Sequence, residues 1–316
     1  MKTPTEKALD IQSISKAKVI HLAYDELMAT KPEEIISYGY QWLDDKLSGI
    51  FPGQLVLVGG ESGVGKSLFV IGIVYKCKKP TAVFVLEERL EDYGKKALYF
   101  EIGKIRKSES KKQYPWNAYV RGELNGDPQF QEFVARAHEN MKGDYPKFQK
   151  MDGMATIDVL EERLRQLSWL GIKLVLIDHL HYFDLMTKES SKADYIEHIM
   201  IRLRMAAIKF NLAIIIVAHY RKLNGNRPTL DSFKDSISIV QNASTVINIW
   251  RNREEGADEK EKYKTQFIIP KSRDLGGEGK IEVSFDPNTG EYVSPDQWKF
   301  GVPVVETNRD LSTLDL

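Results

Sequence analysis

Eight residues, Gly60-Glu61-Ser62-Gly63-Val64-Gly65-Lys66-Ser67, constrain this chain more than any other stretch. They fit G-x-x-x-x-G-K-[ST], the phosphate-binding P-loop. Its glycines let the backbone turn tightly, so consecutive N–H groups converge on one anion. The helix expected next adds its positive N-terminal end. In this motif Lys66 reaches the β- and γ-phosphates, and the Ser67 hydroxyl holds Mg²⁺. The flanks supply the context the motif requires. Gln54 to Val58 suits a short buried strand, and Ser67 to Cys77 suits an apolar helix. The loop points to nucleotide binding and leaves open what hydrolysis drives.

Around the loop, buried strands alternate with helices. Thr81 to Leu86, Lys173 to Asp178 and Leu212 to Ala218 are apolar runs of the kind a parallel sheet covered on both faces needs. Ile157 to Leu170 and Ala193 to Phe210 have helical spacing. Residues 88 to 145 read as polar and mostly helical, broken at Tyr114-Pro115 and Gly126-Asp127-Pro128. Lys147 to Met151 reads as a short strand, and the basic stretch from Lys104 to Lys112 as a solvated surface. Ser244 to Trp250, Lys264 to Pro270 and Lys280 to Phe285 read as strands that close the chain. The pattern predicts an α/β fold: a mostly parallel, doubly wound sheet with added antiparallel edge strands. Ahead of it, Ala17 to Ala29 is an amphipathic helix ended by Lys31-Pro32, which has to dock on its own core or on a neighbour. The expected organisation is an arm over 1–36, an ATPase domain over 37–290 and a tail over 291–316.

The 316 residues suffice for one large core. A hydrophobic share of 42% and a charged share of 28% fit a soluble globular protein. The lone Cys77 excludes an internal disulfide and suits a reducing compartment. No uncharged apolar run is long enough to span a membrane, and the first residues lack a signal-peptide core. The expectation is a cytoplasmic protein with no membrane partner. The net charge of zero means that any nucleic-acid contact must come from a few placed Lys and Arg.

Polar residues at strand ends carry the chemistry. Asp178 ends an apolar strand, where it can orient a Mg²⁺ shell. His179 follows it, where many ATPases place a water-activating glutamate. Glu87, at the end of the strand after the P-loop helix, can polarise the attacking water instead. Glu88 competes for that role, but Glu87 ends the apolar run directly. His219 ends a further strand beside the same crevice, where it can sense a γ-phosphate. Lys271 and Arg273 follow a later strand, and transition-state charge on a phosphoryl group needs such cations.

This set resembles the RecA-like helicase domain of DnaB-type replicative helicases, relatives of phage primase-helicases and of Twinkle. The resemblance runs from about Tyr38 to about Phe285. It rests on Gly39, Leu43, Asp44, Pro52, Gly53 and Gln54 before the P-loop, then Leu86-Glu87, Leu176 to Leu180 and His219. It continues through Asp231 to Ser236, Gln241 to Ser244, and Lys271-Ser272-Arg273, whose Lys-x-Arg pattern is the most discriminating. It implies ATP with Mg²⁺, a catalytic Glu87, a Walker B Asp178 and a γ-phosphate sensor at His219. Lys271 and Arg273 then act on a neighbouring subunit's ATP. It also implies a hexameric ring around single-stranded DNA, with a primase or loader as further partner. Arg221, Lys222, Arg227 and Lys234 are the expected pore-loop contacts, reading backbone rather than sequence. The chain departs from the family in the His-Leu-His-Tyr after Asp178 and in Asn242, a position often acidic. The alternative reading is a RecA- or KaiC-like switch, or a nucleotide-gated loader without unwinding activity.

Overall fold

The computed structural model describes residues 20–21, 24–25, 28, 34–109, 112, 114–142, 147–150, 156–186, 192–220, 223, 226–233, 237–251, 263–273, 277–286 and 289–294. The chain divides into two units, Met1–Ile35 and Ile36–Leu316. In the first, the described residues 20, 21, 24, 25 and 28 are helical.

The second unit is built on one sheet. A short helix α1 (Gln41–Leu47) precedes β1 (Leu55–Gly60), the P-loop and α2 (Lys66–Lys76). Then follow β2 (Thr81–Val85), α3 (Leu90–Glu109), α4 (Trp116–Val120), α5 (Pro128–Asn140) and β3 (Lys147–Lys150). Next come α6 (Ile157–Trp169), β4 (Leu174–Asp178), α7 (Lys192–Phe210), β5 (Ala213–His219) and α8 (Ile237–Asn242). The chain closes with β6 (Thr245–Arg251), β7 (Lys264–Ser272), β8 (Gly279–Asp286) and β9 (Glu291–Val293). The strand order is β3-β2-β4-β5-β1-β6-β7-β8-β9. From β3 to β6 every pairing is parallel, and β7 to β9 add on antiparallel.

Strand periodicity explains the two-faced core. Val56 and Val58 of β1 point to one side, among Phe69 and Ile73 of α2. Leu55 and Leu57 point to the other, with Leu160 and Leu164 of α6 and Leu203 of α7. Both faces are covered, so β1, β2 and β4 are buried throughout. The Gly126-Asp127-Pro128 break is a helix start: Asp127 accepts a hydrogen bond from the Phe130 N–H, and Pro128 opens α5. Thr156 caps α6 in the same way through the Val159 N–H.

β1 runs on through Gly59 and Gly60, which an apolar pattern alone does not count as strand. A Cβ at Gly59 would lie within 3.0 Å of the Tyr220 and Phe233 rings, both buried. Gly59→Ala is therefore expected to destabilise the fold by about 1–3 kcal/mol through overpacking. At Gly94 in α3 a methyl group would meet open space, with nothing within 4 Å. There Gly94→Ala is expected to stabilise by up to about 1 kcal/mol through helix propensity. Thermal unfolding of both variants checks the pair, and equal shifts would contradict the packing argument.

Candidate active site

The carboxyl ends of β1, β2, β4 and β5 are neighbours in the sheet, and each delivers a polar group to one crevice. Ligands of open parallel sheets bind at such strand ends. A cavity of about 480 Å³ opens there, with Lys66, Ser67, Glu87, Asp178, His179 and His219 on its wall.

The loop itself turns through Gly63 (φ 72°) and Gly65 (φ 103°). Both values lie where a side chain is strained. A Cβ on Gly65 would also run into the Tyr292 hydroxyl. That hydroxyl donates toward the carbonyls of Val64 and Gly65, at 3.4 and 3.3 Å. Lys66 opens α2 and is buried. Its ammonium donates to the Gly60 carbonyl (2.9 Å) and the Glu61 carbonyl (2.8 Å), with His219 Nδ1 3.0 Å away. Three acceptors thus fix a cation beneath the loop and at the positive end of α2. The Glu61 side chain accepts from the Leu223 N–H, holding the loop to the segment after β5. Ser62 and Gly63 stand exposed at the rim.

Asp178 is buried at the end of β4. The Tyr93 hydroxyl of α3 donates to its Oδ2 at 3.3 Å, and Ser67 is hydrogen-bonded to the same carboxylate. Burial pushes its pKa up to about 6, against the opposing Ser67 bond. A hydroxyl and a buried carboxylate make a hard oxygen pair, the donor chemistry Mg²⁺ takes. A cation there restores the charged form.

β2 ends at Val85, and the Leu86 N–H continues the ladder by donating to the Asp178 carbonyl. Glu87 then projects half-exposed into the crevice. Its Oε2 lies 3.6 Å from His179 Nε2 and 3.7 Å from His219 Nε2. The His219 imidazole is the main stabiliser of the charged carboxylate, helped by His179 and Lys66, and holds the pKa down to about 2. Glu87 is therefore ionised at neutral pH, an acceptor for hydrogen bonds and a weak base. Burial lowers the His179 pKa to about 4, which keeps that ring neutral. Glu88 forms an ion pair with Lys96 on the same wall.

Lys271 and Arg273 are not on the cavity wall. Lys271 Nζ donates to the carbonyls of Val240 (2.7 Å) and Gln241 (3.0 Å), and Arg273 donates to Gln241. Both cations thus sit at the carbonyl end of α8, where positive charge is favoured. Burial lowers the Lys271 pKa to about 8, with the nearby Arg273 adding to the effect. Arg227 is exposed, its guanidinium 5.4 Å from the Trp250 ring centroid. Arg221, Lys222 and Lys234 lie outside the described residues.

Sequence reasoning passes over three contributors. Tyr93 and Tyr292 reach the site from distant elements and carry no local signal. His179 does carry one, because a second polar residue directly after a strand-ending Asp faces the same crevice.

Residues 36–294 match the family profile of the DnaB-like helicase C terminal domain. The chain belongs to that family. A replicative DNA helicase DnaB from Mycoplasma genitalium is 23% identical, over 88% of this chain and 64% of its own length. The chain spans less than two thirds of the length of such curated relatives. Among solved structures, one ATPase domain superposes with a TM-score of 0.74 at 17% identity, covering 89% of this chain and 98% of that one. A DnaB-like replicative helicase described with its interactions with primase gives 0.72 at 18% identity, over 88% and 66%. The RecA-like sheet with antiparallel edge strands is thus the fold of this DnaB-like domain.

Proposed function

We propose that this DnaB-like domain is an ATP-driven motor on single-stranded DNA, working as a replicative helicase. The observation that carries the reading is the convergence of Lys66, Ser67, Glu87, Asp178 and His219 on one crevice. Lys66 holds the β- and γ-phosphates, and the N–H groups of Gly60 to Ser67 cradle them. Ser67 and Asp178 would hold Mg²⁺, which when bound would supply positive charge against the phosphates. Glu87 orients the attacking water, and His219, within reach of both Glu87 and Lys66, senses the γ-phosphate.

Lys271 and Arg273 lie off the cavity, so in this reading they serve the nucleotide of a neighbouring copy in a hexameric ring. Ile20, Tyr24 and Met28 repeat at four-residue spacing and are exposed, which gives the arm an apolar stripe for that neighbour. The segments after β4 and β5 face the DNA, with Arg221, Lys222, Arg227 and Lys234 as phosphate contacts. A primase or a loader is the further partner. The working place is the cytoplasm; among the described residues no helix is long and apolar enough to cross a membrane.

Hydrolysis of ATP is expected to rise strongly when single-stranded DNA is added, and to climb more steeply than linearly with protein concentration. Turnover indifferent to DNA would instead support the switch or loader reading.

A further inference from the structure

The crevice holds a second set of donors that Mg²⁺ chemistry does not use. Glu87, His179 and His219 follow or end β2, β4 and β5, three adjacent strands. Their donor atoms all lie within 4.8 Å of one another. The two carboxylate–imidazole separations are 3.6 and 3.7 Å. Ligand atoms around a tetrahedral zinc ion, at about 2.0–2.2 Å each, stand about 3.3–3.6 Å apart. The set is therefore within a few tenths of an ångström of closing on such an ion along both pairs. The His179 and His219 rings are 4.3 Å apart between centroids. His179 is 7% exposed, and neither of its ring nitrogens makes a hydrogen bond. A buried imidazole aimed at a carboxylate without a hydrogen bond is unusual, because such groups normally find a partner.

We propose that Glu87, His179 and His219 form a binding site for Zn²⁺ or a similar borderline divalent metal, and that an ion held there arrests ATP hydrolysis. Two imidazoles and one carboxylate are a zinc ligand set, with a fourth position open toward the cavity. Mg²⁺ takes oxygen ligands in near-octahedral geometry and is matched by Ser67 and Asp178 instead. The ion would engage His219 through Nε2, which faces Glu87. An ammonium only donates, so His219 Nδ1 accepts from Lys66 in this structure. Metal binding moves the ring proton to Nδ1 and ends that contact. Lys66 keeps the carbonyls of Gly60 and Glu61. The site stands on this geometry alone. The arrest rests on the reading of Glu87 as the water-orienting group, since a carboxylate bound to metal cannot accept from water.

The test uses the full chain without a histidine tag. Co²⁺ is titrated and followed by visible absorption, and Zn²⁺ is then added to compete. In parallel, ATP turnover is measured at saturating Mg²⁺ with rising Zn²⁺. The expected result is a Co²⁺ band displaced by Zn²⁺, and an affinity at least about 10-fold weaker in His179→Asn. The Zn²⁺ concentration that halves turnover, taken against each protein's own zinc-free rate, should shift by the same factor. Glu87→Gln provides a second ligand removal for the Co²⁺ titration, and thermal unfolding checks that both variants fold. The absence of a Co²⁺ band, or a band unchanged in both variants, would overturn the site. Metal binding as expected with turnover untouched would overturn the arrest and leave the site. If the chain shows no turnover at all, the motor reading fails while the Co²⁺ titration still decides the metal site.

Discussion

Lys66→Ala is expected to reduce ATP turnover at least about 100-fold, on the scale of removing one preorganised cationic donor from a transition state. The reason is positional. The ammonium is buried and held by two carbonyls of its own loop with His219 alongside. It is therefore already placed beneath the loop, and reaches the phosphates by exchanging one or more of these three acceptors for phosphate oxygens. The substitution also leaves the Gly60 and Glu61 carbonyls without this donor, so a structural effect has to be separated from a chemical one. Unfolding temperature and fluorescent-nucleotide binding make that separation. A folded variant that loses nucleotide affinity and turnover matches the assignment. Unchanged turnover would sink it.

Arg273→Ala is expected to leave ATP binding near that of the unmodified chain while cutting hydrolysis by about 10³–10⁵, the range of trans-acting arginines. Destabilisation cannot produce a loss of this size. Among the described residues Arg273 contributes one side-chain hydrogen bond to the end of α8, and Lys271 keeps both of its own contacts there. Losing one such bond costs about 0.5–1.5 kcal/mol. The decisive version mixes Arg273→Ala subunits with Glu87→Gln subunits. Each is inactive alone, but a site with intact Glu87 can meet an intact Arg273 across the interface. Random mixing in equal amounts makes about one interface in four complete in a closed ring. Recovery toward that share supports sharing of the site. No recovery, under conditions where both variants assemble, removes its support.

Much of this arrangement is legible in the sequence because parallel strands leave a strong trace. Four continuous apolar runs place β1, β2, β4 and β5, and the polar residues after them are the crevice. The runs end within a residue or two of the strands they mark. β9 leaves no such trace. Its three residues, Glu291-Tyr292-Val293, are too few for a period. Tyr292 reaches the P-loop across more than two hundred residues, and the Trp42 indole, similarly distant in sequence, donates to its carbonyl at 3.3 Å. Lys271 and Arg273 stand out by resemblance, and their geometry at the end of α8 cannot be read from spacing. His179 is visible in the sequence mainly as a residue that is not glutamate. Its neighbours Glu87 and His219 come from other strands, so only the fold brings the three together.

The Tyr292 hydroxyl under the P-loop bears on when the site comes into being. Residues 60–67 bend the loop locally, yet part of its floor belongs to β9, where Tyr292 lies 228 positions on from Val64. A growing chain emerges N-terminal end first. It carries the whole motif long before it carries the ring that supports Gly65. Contacts that close so long a span form late, because their loop entropy must be overcome first. Nucleotide competence therefore waits on a residue made 228 positions after the loop that carries its signature.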